Sequence, residues 1–285
     1  MALADERKNA RPGRNRESGE PMKVEQQCKI IARERLTPDT VSMTLAVGDM
    51  VSSAITNTGR PIHPGQFIHI KCGEGLLLRR PISIQSWLGT RMGGTITVVF
   101  EAKGEGTRWL AQRQVGDTLD VLGPLGNGFR TTSGPYLLVG GGVGVPPLHA
   151  CACYTGCAST AILGFRSKDR AILLDRFDED CVDVQVATDD GSLGYHGFVD
   201  ALVRQELEKK RHYQGVLACG PKPMLKRVAE VAAEFGVPCQ VSMEERMGCG
   251  VGACLVCAVT MKDGTVKHVC KDGPVFDAEE VDWDA

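Results

Sequence analysis

Residues 136–148 read YLLVGGGVGVPPL. An apolar run without polar alternation enters glycines 140, 141, 142 and 144, and a stretch of helical composition follows over 145–157. Such a run is the mark of a strand buried on both faces, as parallel sheets require. Glycines at its end allow a sharp turn and let backbone N–H groups approach a phosphate at the start of the next helix. The turn is not the strict G-x-G-x-x-G pattern, because Pro146 and Pro147 stand where the third glycine would be. Glycine turns of this kind also serve plain packing of strand on helix.

The flanking chain repeats the alternation of strand and helix. TAILGF (160–165), CVDVQVAT (181–188) and GVLACG (215–220) read as strands, and HGFVDALVRQELEKK (196–210) and PKPMLKRVAEVAAEFG (221–236) as helices. The second helix opens with Pro221 and Pro223, stops at Gly236 and is followed by Pro238, as helix ends demand. Residues 132–240 therefore predict an α/β domain with a parallel sheet. Its ligand side lies at the carboxyl ends of the strands, where Gly140, Gly141, Gly142 and Gly144 meet a second turn, Cys219, Gly220 and Pro221.

Upstream the rhythm is different. VSMTLAV (41–47), GQFIHIKC (65–72), RRPISIQS (79–86) and GTITVVFEA (94–102) are short strands punctuated by Gly and Pro. They predict an antiparallel β-barrel over 23–131, with one short helix at 106–114. Arg80, Pro81, Ile82 and Ser83 form an R-x-x-S segment. In a flavin-binding barrel such an arginine clamps a diphosphate and the serine hydrogen-bonds the ring; a plain strand with an exposed arginine has the same sequence. Gly106 and Thr107 open the short helix and offer a phosphate site.

Downstream, 241–285 is too short to bury a core, so a metal centre must help to hold it. Cys249, Cys254 and Cys257 make C-x4-C-x2-C, and Cys270 returns from a hairpin whose turn is Asp263-Gly264. This is the spacing of plant-type [2Fe–2S] proteins. Gly248, Gly250 and Gly252 let one tight loop aim its thiolates at a common point. A four-cysteine zinc site is the competing reading, but zinc sites pair their knuckles and only Cys254 and Cys257 form a C-x-x-C. Cys151, Cys153 and Cys157 lack a glycine loop and a fourth ligand, and read as small residues buried against the sheet.

The bulk properties agree with a soluble globular protein that keeps its thiols in a reducing compartment. The chain has 285 residues, 42% hydrophobic and 24% charged, with net charge −2, which gives no general attraction to nucleic acid or anionic lipid. No apolar run approaches the ~20 residues of a membrane span. Residues 1–22 have no apolar segment and carry Asp5, Glu6, Glu17 and Glu20 among their arginines, so they read as a disordered tail and not a targeting signal; Met22 is an alternative start. Twelve cysteines at uneven spacing suit a reducing, cytoplasmic setting. The histidines do not cluster and read as surface or structural, Glu244 and Glu245 read as solvated charges, and the sequence shows no nucleophile elbow and no acid–base pair for a hydrolytic reaction, so no catalytic side chain is assigned.

In order, RRPISI (79–84), GGGVGVPPL (140–148), DDGSLGYHGFVDAL (189–202) and CGPKPML (219–225) resemble the ferredoxin–NADP reductase superfamily. The tail RMGCGVGACLVCAV (246–259) with HVCKDGPVF (268–276) looks like one branch of it, the electron transfer subunits of dihydroorotate dehydrogenase B. The resemblance spans about residues 23–280. It implies FAD in the barrel, held by Arg80, Pro81, Ile82 and Ser83 with Val99, Phe100, Glu101, Gly106 and Thr107. It implies NAD in the α/β domain and a [2Fe–2S] cluster on Cys249, Cys254, Cys257 and Cys270. In the wider superfamily an aromatic residue stacks on the flavin where Ile82 stands; an aliphatic residue looks normal for this branch. The implied activity is an oxidoreductase relay in pyrimidine synthesis: electrons from an FMN-containing catalytic subunit pass through the cluster and FAD to NAD+, in a heterotetramer of two plus two subunits. The related alternative is an NAD(P)H–ferredoxin reductase or sulfide dehydrogenase subunit.

Overall fold

A computed structural model describes residues 24–48, 51, 62–90, 93–155 and 158–285. The expected tail at 1–22, with Met22, and Cys157 lie outside the described residues.

The first unit is a closed antiparallel barrel of β1 (Val24–Arg35), β2 (Thr40–Ala46), β3 (Phe67–Ile70), β4 (Arg80–Thr90), β5 (Gly93–Glu101) and β6 (Thr118–Leu125), in the order β1-β2-β5-β4-β3-β6. Alternation explains it: along β6, Leu119 and Val121 turn into the barrel, Asp120 and Leu122 lie on the other face, and Leu125 at the end of the strand packs into the core shared with the sheet. Ile30, Met43, Leu45, Ile68, Ile70, Ile84, Ile96 and Val98 fill the interior. A short helix, α1 (Glu105–Ala111), drives Leu110 into that core.

The second unit is a seven-stranded sheet. Its parallel strands are β7 (Leu137–Gly141), β8 (Thr160–Phe165), β9 (Asp183–Thr188), β10 (Tyr195–His196), β11 (Val216–Cys219) and β12 (Cys239–Ser242). Leu137 and Val139 of β7 face α4 (Val199–Glu208) and α5 (Lys222–Glu234), while Leu138 faces α2 (Val145–Thr155) and α3 (Leu174–Asp180). The run that is apolar at every position is thus buried on both faces. β7 lies at the middle, where the order β10-β9-β8-β7-β11-β12 changes direction, so its glycine turn sits at the crevice of the sheet.

The C-terminal segment borrows its stability. β13 (Ala258–Thr260) and β14 (Val266–His268) form the expected hairpin, whose Thr265 N–H donates to Asp263 Oδ1 at 2.9 Å. β15 (Val275–Asp277) then joins the large sheet, antiparallel to β12. Asn127, just after the barrel, donates to the Lys271 and Asp272 carbonyls. The segment expected as a separate small unit is therefore sewn to both others.

Cys151 is buried, as expected; Cys153 is not, because α2 turns it outward to meet Asp180 at the end of α3. Among the described residues one carboxylate is fully buried. Glu206 on α4 accepts from Tyr213 at 2.7 Å, Gln185 at 2.8 Å and Lys209 at 2.5 Å, with Arg211 at 3.5 Å. Burial pushes its pKa up, but the bonds from Lys209, Tyr213 and Gln185 outweigh burial and hold it below the ordinary value of 4.5. The resulting stability is complete above that value and disappears as pH falls through the lower folded one. Glu206→Gln should cost about 1–3 kcal/mol at neutral pH and flatten the acid side of the stability curve. Urea midpoints measured across the acid range for both proteins check this; parallel acid limbs would contradict it.

Candidate functional site

One cleft of about 1400 Å³ opens where the barrel, the sheet and the C-terminal segment meet. β4 enters it with Arg80, Pro81, Ile82 and Ser83, paired to β3 in the register Ile70–Arg80, His69–Pro81, Ile68–Ile82 and Phe67–Ser83. β5 contributes Val99, Phe100 and Glu101. Strand alternation divides these residues. Ile82 and Phe100 belong to the barrel core and Val99 packs into the core under the sheet, so the polar groups offered to a ligand are Arg80, Ser83 and Glu101.

Gly106 stands behind the cleft. A Cβ there would lie 2.6 Å from Arg80 Nε, so the glycine allows the guanidinium to lie over α1. Arg80 also donates to the Leu78 carbonyl. Thr107 borders the cleft, but its hydroxyl accepts from the Lys103 and Gly104 N–H groups and caps α1.

From the sheet, Gly141, Gly142, Gly144, Cys219, Gly220 and Pro221 border the same cleft. Gly142 has φ +53° and nothing within 4 Å of the place a Cβ would take, so bare backbone faces the open space. At Gly144 a Cβ would sit 2.3 Å from the Cys219 carbonyl; glycine brings the two turns together. Gly140 is not at the surface of the cleft, since its Cβ would meet Val145 at 2.9 Å, and it serves strand–helix packing.

Several lining residues were not read from the sequence. Arg166 follows β8 directly, and Arg227 lies over the Phe198 ring at 4.9 Å, so cations flank the glycine turns. Their signal was position, each being close to a strand end or helix start on the ligand side. Glu244 and Glu245, expected as solvated charges, line the cleft, Glu244 exposed and Glu245 half-buried.

The four cysteines converge. The N–H of Gly252 points at Cys270 Sγ at 3.1 Å. Those of Ala253, Val251 and Cys254 point at Cys249 Sγ at 3.2, 3.4 and 3.4 Å. Cys249 N–H reaches Cys254 Sγ at 3.3 Å, and Cys270 N–H reaches Cys257 Sγ at 3.4 Å. Gly250, Gly252 and Leu255 hold φ of +73°, +80° and +60° to make this possible. Burial opposes ionisation of Cys249, but the N–H groups of Val251, Cys254 and Ala253 outweigh it and bring its thiol down to about 6. A nest of N–H groups around sulfur suits thiolates and the negative charge of an iron–sulfur cluster.

Beneath this loop lies His69. It is fully buried, and its ring faces the backbone of Arg79 and of Cys249. A Cβ on Gly250 would sit 2.5 Å from its Nδ1. Burial, then the charge of Arg79, pushes its pKa down to about 4, so the ring is neutral near pH 7. This buried imidazole, pressed against the cysteine loop at Gly250 and Cys249 and lying on the strand paired with Pro81, joins the loop to the flavin strand. It was missed because a single histidine within FIHI carries no spacing signal.

Comparison with known proteins follows this geometry. The iron-sulfur cluster binding domain of dihydroorotate dehydrogenase B matches residues 244–282. The chain is 37% identical over 265 residues to the dihydroorotate dehydrogenase B (NAD(+)) electron transfer subunit of Caldanaerobacter subterraneus subsp. tengcongensis, covering 91% of this chain and 99% of that one. It is 42% identical over 268 residues to the subunit of the same name from Bacillus caldolyticus, covering 88% and 99%. Among solved structures, that of an NADH-dependent reduced ferredoxin-NADP oxidoreductase superposes with TM-score 0.78 at 33% identity over 90% of each chain. The ferredoxin reductase in carbazole 1,9a-dioxygenase shares the fold, with TM-score 0.63 at 24% identity over 76% of this chain and 67% of that one.

Gly250→Ala should force the loop off His69 and strain a left-handed residue by about 1–2 kcal/mol. The expected result is substoichiometric iron with flavin retained, measured as iron and flavin per chain. Full iron in that variant would show that the contact with His69 does not shape the loop.

Proposed function

Because the chain belongs to the family of dihydroorotate dehydrogenase B electron transfer subunits, we propose that it relays electrons from the FMN of a dihydroorotate-oxidising partner subunit to NAD+ in pyrimidine synthesis. The observation that carries this reading is the single cleft shared by the flavin strand, the nucleotide turns and the base of the cysteine loop.

The residues divide the work. Cys249, Cys254, Cys257 and Cys270 hold a [2Fe–2S] cluster, and the surrounding N–H groups favour its negative charge. Arg80 would clamp the FAD diphosphate and Ser83 would hydrogen-bond its ring, with Val99, Phe100 and Glu101 of the same cleft as further contacts. Gly141, Gly142 and Gly144 present bare backbone to the NAD pyrophosphate, and Cys219, Gly220 and Pro221 border the nicotinamide side. When bound, the flavin converts single electrons from the cluster into the pair that NAD+ accepts as hydride. Neutral His69 keeps positive charge from accumulating under the loop.

The partner's place is suggested by the loop itself. Leu255 and Val256 are 60% and 56% exposed at its tip, an apolar patch that suits a protein surface. A heterotetramer of two plus two subunits in the cytoplasm completes the reading; no helix among the described residues is long and apolar enough to cross a membrane. A second reading, an NADH–ferredoxin reductase subunit, is favoured by the likeness to the ferredoxin-NADP oxidoreductase structure.

Dihydroorotate-dependent NAD+ reduction by the isolated complex decides between them. Activity lost on stripping this chain and restored on adding it back is expected. An intact complex that holds flavin and iron but lacks the activity would favour ferredoxin. Arg80→Ala should raise the FAD dissociation constant roughly ten- to a hundredfold, the worth of a charge-assisted pair. Unchanged flavin affinity, measured by fluorescence quenching, would remove Arg80 from that role.

A further inference from the structure

Outside the nucleotide cleft, whose lining includes none of them, three metal-ligating side chains meet. His149 and Cys153 lie four residues apart on one face of α2, and Asp180 ends α3 opposite them. His149 Nε2 is 3.1 Å from Asp180 Oδ2, Cys153 Sγ is 3.2 Å from the same oxygen, and Cys153 Sγ is nearly equidistant from the two imidazole nitrogens, 3.8 Å from Nδ1 and 3.9 Å from Nε2. A tetrahedral zinc ion with one sulfur and two N/O ligands has ligand–ligand edges of about 3.3–3.6 Å, which follows from its bond lengths. The observed triangle brackets those edges, and an ion on Nε2 would be closed in by a swing of the exposed Cys153 side chain toward that nitrogen.

A second observation singles this triangle out. His149 is 6% exposed, and its other nitrogen, Nδ1, is 2.8 Å from the amide nitrogen of Gln85, itself 7% exposed on β4 of the barrel. Turning that amide over makes Gln85 Oε1 the acceptor of Nδ1–H and leaves the Nε2 lone pair for an ion. This is the outer support that metal-bound histidines possess. The Phe177 edge, 5.5 Å from the imidazole and inclined at 75°, fixes the ring plane. Cys153 is exposed, so the site has an entrance.

We propose that His149 Nε2, Cys153 Sγ and the Asp180 carboxylate form a zinc-type site for a borderline-soft divalent cation, closed by water and separate from the cluster cysteines. Binding replaces the S–H bond of Cys153 with a metal–sulfur bond and releases the proton to solvent, with no change of oxidation state. The ion would tie α2 to α3 and, through Gln85, brace the nucleotide unit against the barrel strand that carries Arg80.

The test uses the full chain with its flavin and cluster, under argon, titrated with Zn2+ alone against a chromogenic chelator, with iron followed in parallel. The expected result is one zinc per chain at constant iron, with a single sulfur ligand in the zinc X-ray absorption spectrum. Cys153→Ser and Asp180→Asn should each weaken binding at least tenfold, and Gln85→Leu by roughly ten- to a hundredfold. Absent uptake, uptake only as iron is lost, or equal affinity in Cys153→Ser would each overturn the proposal.

Discussion

Three thiols must point from one short loop to a common centre, and that requirement organises the C-terminal segment of the chain. It is met by a backbone that turns left-handed at Gly250, Gly252 and Leu255 and directs its N–H groups inward at sulfur. Such a loop buries little apolar surface of its own. It is held from outside, by β15 on the edge of the large sheet and by the imidazole of His69 against Gly250. The second support matters most, because His69 lies across the ladder from Pro81. The cysteine loop and the flavin strand are therefore fixed to each other through one buried residue.

The same economy of distance governs the cleft. Gly144 brings the first glycine turn against the Cys219 carbonyl, and Gly106 lets Arg80 lie over α1. At both positions a side chain would push apart two elements that must both reach the ligand space. Glycine here acts less as a flexible residue than as an absence of bulk where two backbones, or a backbone and a guanidinium, share one contact. Val99 of β5, paired with Ser42 of β2, turns its side chain out of the barrel and packs it into the core under the sheet, so the two nucleotide-binding surfaces share a contact.

Much of this was legible in order along the chain. The barrel, the parallel sheet and the hairpin at Asp263-Gly264 follow from periods of two, continuous apolar strands and one turn pair. The cysteine set was legible because its spacing is local. What escaped was every feature made by elements distant in sequence. His69 reads as one more residue of a buried strand until the loop at 250 is placed on it. Glu244 and Glu245 read as surface charges until the cleft closes beside them. Cys153 reads as a core thiol until α3 brings Asp180 to it. The antiparallel return of β15 could not be seen either, since three residues carry too little pattern to announce a sheet partner.

The central claim is that nicotinamide, flavin and cluster form one circuit within this chain. Anaerobic titration of the purified, fully loaded protein with NADH, followed by optical absorption and low-temperature electron paramagnetic resonance, tests it most directly. The account predicts that NADH bleaches the flavin and also brings up the resonance of a reduced [2Fe–2S] centre, without any partner present. A flavin that bleaches while the cluster stays oxidised, although dithionite can still reduce it, would contradict the account.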